Sequence, residues 1–220
     1  DLVLDIARML RLHYGTREGN QRKFKRYNEL FKKFEEIWAA ENLAEEYYVQ
    51  LLSGHVKNRE QGKAMHDEAA KYYKEIQPAV QKYESYRLQF SAILLQMIQY
   101  NSIGDHQNTI AVCAKGVELF ENKPYRADTP IQNFLIQKLV CHIQLKQFEE
   151  GKETAEKCLG LAVEGHFNWF KFQELLFLLS MHSQKYRQAH STLQYVMHHP
   201  RFQFLPEVVQ ELWRIFQAYM

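Results

Sequence analysis

Residues that interrupt helices are scarce in this chain. Its 220 residues include nine glycines and five prolines, the two residue types that most strongly mark turns. Hydrophobic residues make up 46% and charged residues 25%, which is the composition of a folded globular protein and not of a disordered one. Leu, Gln, Glu, Lys and Ala, which favour helices, are plentiful. We therefore expect an all-α protein.

Long hydrophobic runs are also missing. The longest, from Leu175 to Met181, is far below the roughly 18 apolar residues that a membrane-spanning helix needs. Charged residues at Asp5, Arg8 and Arg11 interrupt the first apolar segment, so it does not read as a signal peptide. The sequence therefore predicts a cytoplasmic protein without a membrane partner.

Cysteine is rare and odd in number. Cys113, Cys141 and Cys158 cannot all pair within one chain, and each falls in a helical pattern. This usage is typical of free, buried thiols in a reducing compartment.

Motifs that carry chemistry are absent. Ten histidines occur, but no His-Glu-x-x-His and no Cys-x-x-Cys accompanies them. The segment 151–154 resembles the end of a phosphate-binding loop but lacks the earlier glycine, since Lys146 stands there. No Gly-x-Ser-x-Gly occurs either. We expect no catalytic residues, no metal, no cofactor and no small-molecule substrate.

Apolar residues recur at helical spacing along almost the whole chain. Pro78 either begins a new helix or kinks an existing one, because proline fits a first turn better than an interior. The predicted helices cover about 2–13, 24–52, 59–77, 83–100, 108–120, 128–145, 149–163, 167–181, 187–197 and 206–219.

Three helix connections have similar sequences, and they are Gly104-Asp105-His106, Lys146-Gln147-Phe148 and Gln184-Lys185-Tyr186. In each, a ring follows the turn and a smaller residue follows three positions later. The rings are 42 residues apart (106 to 148) and 38 residues apart (148 to 186). Such a period indicates an α-solenoid, in which each helix pair is covered by its neighbours.

This pattern resembles the tetratricopeptide repeat (TPR), whose second helix commonly begins Gly-Asp-Tyr-x-x-Ala. The resemblance is best over 87–199, as three units. It implies an α-α superhelix of antiparallel helix pairs, with 1–220 forming a single TPR-like domain. Residues 1–84 are then atypical N-terminal helices, and 206–220 form a terminal capping helix.

The resemblance also implies a concave groove, lined by the first helix of each pair, that binds a peptide or a helix. Ile98, Val140 and Leu178 stand where the family's carboxylate clamp has asparagine, so a chaperone-tail clamp is not expected. Alternatively, helix 2–13 or 206–219 fills the groove. The groove positions are Leu94, Ile98, Asn101, Asn133, Ile136, Val140, Ile143, Lys171, Glu174 and Met181.

Positive charge is concentrated near the beginning of the chain. Residues 1–33 contain nine Lys or Arg and four Asp or Glu, a net +5, although the whole chain carries +2. Phosphate binding needs such clusters, but the interleaved aromatics from Phe24 to Trp38 fall on a stripe that we expect to be buried. A solvated helix face is therefore the favoured interpretation. The basic patch comprises Arg17, Arg22, Lys23, Lys25, Arg26, Lys32 and Lys33.

These observations favour a non-enzymatic adaptor or scaffold that binds a protein or peptide in an apolar groove. Two alternatives stay open. The chain could be the regulatory sensor domain of a longer signalling protein, or an RNA-binding helical-repeat protein that uses residues 17–33.

Overall fold

A computed structural model describes residues 2–57, 62–122 and 127–220, apart from the side chains of 54–57. All regular structure in these ranges is helical, and no strand occurs among them. A π-helical segment, His13–Arg17, follows the first α-helix, and a short 3-10 helix, Phe202–Phe204, precedes the last. The α-helices are α1 (Leu2–Leu12), α2 (Gln21–Lys57), α3 (Gly62–Lys82), α4 (Tyr86–Asn101), α5 (His106–Glu121), α6 (Asp128–Gln144), α7 (Phe148–Leu161), α8 (Phe167–His182), α9 (Tyr186–Met197) and α10 (Glu207–Ala218).

The predicted all-α class is confirmed, and from α4 onward each helix begins and ends close to its predicted position. Two earlier boundaries differ. Helix α2 continues past the expected stop at 53–54 to Lys57, and α3 runs through Pro78 to Lys82. The interpretation of Pro78 as a helix start is therefore wrong. The predicted beginning of this helix at 59 lies outside the described residues.

Packing on both sides of Pro78 explains why α3 continues. Proline removes one backbone hydrogen bond from a helix interior, but Ile76 before it is buried to 2% exposure. Ala79 and Val80 after it pack against the same hydrophobic cluster. Burial of both flanks offsets the lost hydrogen bond.

The chain divides into two compact units, Asp1–Ile103 and Gly104–Met220. In the first unit α1 packs against α2, and α2, α3 and α4 pack against one another. Their shared core contains Ala44 and Leu51 from α2, Ala69 and Ile76 from α3, and Leu88, Ala92, Leu95 and Ile98 from α4. The small alanines allow close approach of the helices.

Tyrosines join α2 to α3 at the edge of this core. The rings of Tyr47 and Tyr72 stack with their centroids 4.0 Å apart. The Tyr72 hydroxyl donates to the Glu68 carboxylate over 2.7 Å, and the Tyr83 hydroxyl donates to Glu36 over 2.5 Å. Both hydroxyls therefore donate to carboxylates at the edge of the core.

In the second unit α6 packs against α5, α7 and α8, while α8 packs against α7 and α9. One cluster joins Leu139 of α6 to Ala155 of α7 and Leu179 of α8. A second joins Phe177 of α8 to α9 and to Trp213 of α10. Helix α8 is therefore enclosed on several sides, as its nearly continuous apolar sequence predicts.

The turns that join α6 to α7 and α8 to α9 have the same geometry. Lys146 and Gln184 occupy equivalent positions and have φ values of 58° and 60°, in the left-handed region. Each following amide donates to the carbonyl five residues earlier, from Gln147 to His142 over 2.9 Å and from Lys185 to Ser180 over 2.8 Å. This is the hydrogen-bond pattern of a Schellman helix end.

The residues three positions after the ring are buried at all three predicted connections. Thr109 and Ala189 are each 0% exposed, and Gly151 is buried. A Cβ atom added at Gly151 would lie 2.9 Å from Leu179 Cδ1. The small residue therefore follows from the close approach of α7 to α8.

Within the part of the chain that the structure describes, no helix combines the length and apolarity required to cross a bilayer.

Candidate functional site

The accessible face of α6 and α8 carries most of the groove positions predicted in the second unit. Along α6, Asn133 is exposed, Ile136 and Val140 are half-buried, and Gln144 is exposed. Successive positions in this set are three or four residues apart, so all four lie on one side of the helix. Ile136 and Val140 pack against the same hydrophobic cluster as Leu176 and Leu178 of α8. We call this combined surface the α6–α8 face.

Helix α8 contributes both charged and apolar side chains to the predicted set. Lys171 Nζ lies 2.7 Å from Glu174 Oε1, and the Glu174 side chain is 11% exposed. Leu178 and Met181 are half-buried and pack against the cluster that contains Trp213. The face is therefore an apolar stripe with one ion pair and two exposed amides.

Four of the predicted groove positions are buried. Leu94 and Ile98 on α4 are each 9% exposed, Glu174 on α8 is 8% exposed, and Ile143 on α6 is 6% exposed. Ile98 and Ile143 also belong to the hydrophobic clusters of their units. Their main contribution is to the core, so a charge substitution at Leu94 would report on folding. Asn101, on the same helix as Leu94, is exposed.

Of the two terminal helices considered as fillers of the groove, α1 packs against α2. Helix α10 packs against α8, and the groove positions Leu178 and Met181 pack against the cluster that contains its Trp213. Two rings of α10 contact Phe177 of α8: the ring centre of Trp213 lies 6.0 Å from that of Phe177, and the ring centre of Phe216 lies 4.6 Å from that of Phe177. Helix α10 thus covers α8 near its centre.

Every cation of the basic patch is exposed. Several of the neighbouring aromatic rings contact cations of the chain itself: Lys23 Nζ lies 4.4 Å from the Tyr14 ring centre, and the Arg11 guanidinium lies 3.7 Å from that of Phe31. The expected burial of the aromatic stripe is only partial, because Phe24 is 38% exposed and Trp38 is 42% exposed. These two rings lie at the ends of the stripe.

The three cysteines are free and buried, as predicted. Burial raises the pKa values of the Cys113 and Cys158 thiols to about 12 and that of Cys141 to about 11. Since the thiolate is the nucleophilic form, these thiols are unreactive near neutral pH.

A cleft that sequence reasoning missed is lined by residues of α5, α6 and α7. Its volume is about 430 Å³. On α6 its lining includes His142, which is 5% exposed and whose Nδ1 lies 2.9 Å from Gln147 Oε1. The charged lining residues are Glu118, Glu121, Lys138, Glu150, Glu153 and Lys157.

No sequence motif could have indicated this cleft, because its residues come from three helices and share no local spacing. Helical periodicity gives no partner for the His142 imidazole. Among residues 2–57, 62–122 and 127–220, no three His, Cys, Asp or Glu side chains are grouped so as to hold a metal ion.

Comparison with known proteins gives no further assignment. The chain matches no family model, no curated protein and no solved structure.

Proposed function

We propose that this protein is a non-enzymatic adaptor or scaffold whose α6–α8 face binds an amphipathic helix or an apolar peptide of a partner protein. The observation that carries the proposal is the arrangement of this face. On α6, half-buried Ile136 and Val140 lie between exposed Asn133 and Gln144. Helix α6 packs against α8, which also carries predicted groove positions. Helix-in-groove recognition uses such apolar stripes with polar edges.

The repeated turn supports a TPR-like α-solenoid as the scaffold. The Schellman ends of α6 and α8 share hydrogen bonds and left-handed residues, and the small residue after each turn is buried. A repeat of this kind stacks helix pairs and presents one helix of each pair on a common surface. The free thiols favour a reducing compartment, and we propose a cytoplasmic location.

Substitution at the exposed edges of the face tests the proposal without disturbing the core. We expect the double variant Asn133→Glu/Gln144→Glu to lose the partner that the wild-type protein retains in quantitative affinity purification. The matched control is Gln107→Glu/Gln188→Glu, which likewise replaces two side-chain amides by carboxylates at exposed positions, here on α5 and α9. Equal retention by both double variants would refute a role for the α6–α8 face.

RNA binding by the basic patch is a second candidate, favoured by the exposure of Phe24 and Trp38 beside the exposed cations. Cations contact phosphates, and exposed rings can stack on unpaired bases. We would measure binding of single-stranded RNA over a range of salt concentrations. Binding that weakens steeply with salt and falls in Trp38→Ala would support it, whereas the adaptor function predicts no such binding.

A further inference from the structure

Helix α10 is apolar on two neighbouring sides, and one of them is exposed. The buried side carries Trp213, in the cluster that also contains residues of α8 and α9. On the exposed side, Val208 is 75%, Ile215 51% and Tyr219 80% exposed, and Leu212 is half-buried. We call Val208, Leu212, Ile215 and Tyr219 the α10 stripe. A contiguous exposed apolar patch marks an interaction site, whereas single exposed apolar residues do not.

The spacing of the α10 stripe fits a second helix. Its members are four, three and four residues apart, which is the repeat of the seam in a two-stranded coiled coil. Two copies of α10 can lie antiparallel around a two-fold axis midway between Leu212 and Ile215. These two residues then face each other across the axis, and Val208 faces Tyr219. Each member of the stripe is thereby covered by a member of the same stripe in the other copy.

The charges beside the α10 stripe select this antiparallel arrangement. Glu211 and Arg214 are exposed and pair with each other within the chain. Each precedes a residue of the stripe by one position, so both lie along the same edge of it. Antiparallel pairing brings Glu211 of each copy to Arg214 of the other. Parallel pairing would place like charges together, which is unfavourable.

We propose that this protein forms a symmetric homodimer through the α10 stripe, with the two copies of α10 antiparallel and two Glu211–Arg214 ion pairs between them. The inference concerns a surface other than the α6–α8 face and does not depend on the proposed function. The stripe spans about three helical turns, so the buried area is small. Small interfaces are those of weak complexes, and the dimer should dissociate on dilution.

Charge reversal tests the contact between copies, measured by sedimentation of the full chain over a series of concentrations. Glu211→Arg leaves two cations on the edge of each stripe, and Arg214→Glu leaves two anions. Each variant alone should dimerise about tenfold more weakly than the wild-type protein, because two ion pairs are replaced by repulsions.

An equimolar mixture of the two charge variants should recover the wild-type affinity, because the heterodimer again has opposite charges across the interface. The charges within each chain are the same alone and in the mixture. Recovery therefore arises from contacts between copies and not from the stability of α10 itself.

Substitution in the stripe tests the apolar part of the interface. Ile215→Glu should abolish dimerisation. Gln217→Glu is the matched control, since Gln217 is exposed on the same helix outside the stripe. Met9→Glu is a second control, since Met9 is 70% exposed on α1. Both controls should dimerise like the wild-type protein, and all variants should show wild-type helicity by circular dichroism.

Three results would overturn the proposal. The first is a wild-type protein that stays monomeric up to about 100 μM. The second is a mixture of Glu211→Arg and Arg214→Glu that sediments no faster than either variant alone. The third is loss of the dimer in Met9→Glu as well as in Ile215→Glu, which would assign the contact to α1 of the second copy.

Discussion

Two helical glycines provide a sharp test of the packing described for the second unit. Gly116 lies in α5 and Gly160 in the last turn of α7. Alanine should favour the helical state at both positions, because glycine loses more backbone freedom on folding. The surroundings differ. A Cβ atom at Gly116 would meet three ring atoms of Phe134 at 2.6 Å, whereas nothing lies within 4 Å of one at Gly160.

The expected effects therefore have opposite signs. The Phe134 ring is 1% exposed, so it has no free space to move into, and overpacking of a core costs about 1–3 kcal/mol. The middle of this range exceeds the helical preference of alanine over glycine, which is roughly 1 kcal/mol. The net effect of Gly116→Ala should be to lower the free energy of unfolding, by up to about 2 kcal/mol. Gly160→Ala should raise it by up to about 1 kcal/mol.

Urea denaturation followed by circular dichroism measures both variants against the wild-type protein. Thermal denaturation gives a second measure. A change of 1 kcal/mol in the free energy of unfolding shifts the melting temperature by about 2–4 °C for a protein of about 150–250 residues, so the melting temperatures of the two variants should differ by several degrees. Both variants must first show wild-type helicity at low temperature. If Gly116→Ala were as stabilising as Gly160→Ala, the close contact between α5 and Phe134 would be wrong, and so would the packing of α5 on α6.

Three further predictions concern the turns, the thiols and the last helix. Lys146→Gly and Gln184→Gly should each raise the free energy of unfolding by about 1 kcal/mol in urea denaturation, because both residues adopt left-handed backbone conformations; Lys146→Ala, the control, should not. Above about pH 9 the free energy of unfolding should fall, because an ordinary thiol pKa is near 9 and burial raises those of Cys113 and Cys158 to about 12. Between these values only the unfolded chain loses the protons, so Cys158→Ala should reduce the slope of stability against pH. Trp213→Ala should lower the free energy of unfolding by about 3–5 kcal/mol, measured by calorimetry. The Trp213 side chain is 0% exposed in the cluster that joins α10 to α8 and α9. The control, Arg214→Ala, lies on the exposed side of α10 and should have little effect.

Local features of the fold could be predicted from the sequence. Helix α8 was identifiable because its apolar residues continue around the helix, which requires neighbours on several sides. The turns at Lys146 and Gln184 were identifiable from the ring and the small residue that follow them. These signals act within one or two helical turns, where residue type and conformation are directly coupled.

Features that depend on long-range packing could not be predicted. The continuation of α3 through Pro78 depends on how Ile76 and Val80 pack against other helices, which a local rule about proline ignores. The resemblance to the TPR placed Leu94 and Ile143 in a groove but gave no measure of how deeply each is buried. The cleft around His142 requires the relative positions of three helices, and no sequence spacing encodes them.

Hydrogen–deuterium exchange of the protein with and without its purified partner tests the proposed function most directly. Exchange should slow in peptides that cover 133–144 and 171–182, which contain the α6–α8 face, and should stay unchanged in peptides from 107–118 of α5. Protection confined to 17–33, or no protection in either segment of the face, would contradict the proposal that this protein holds its partner there.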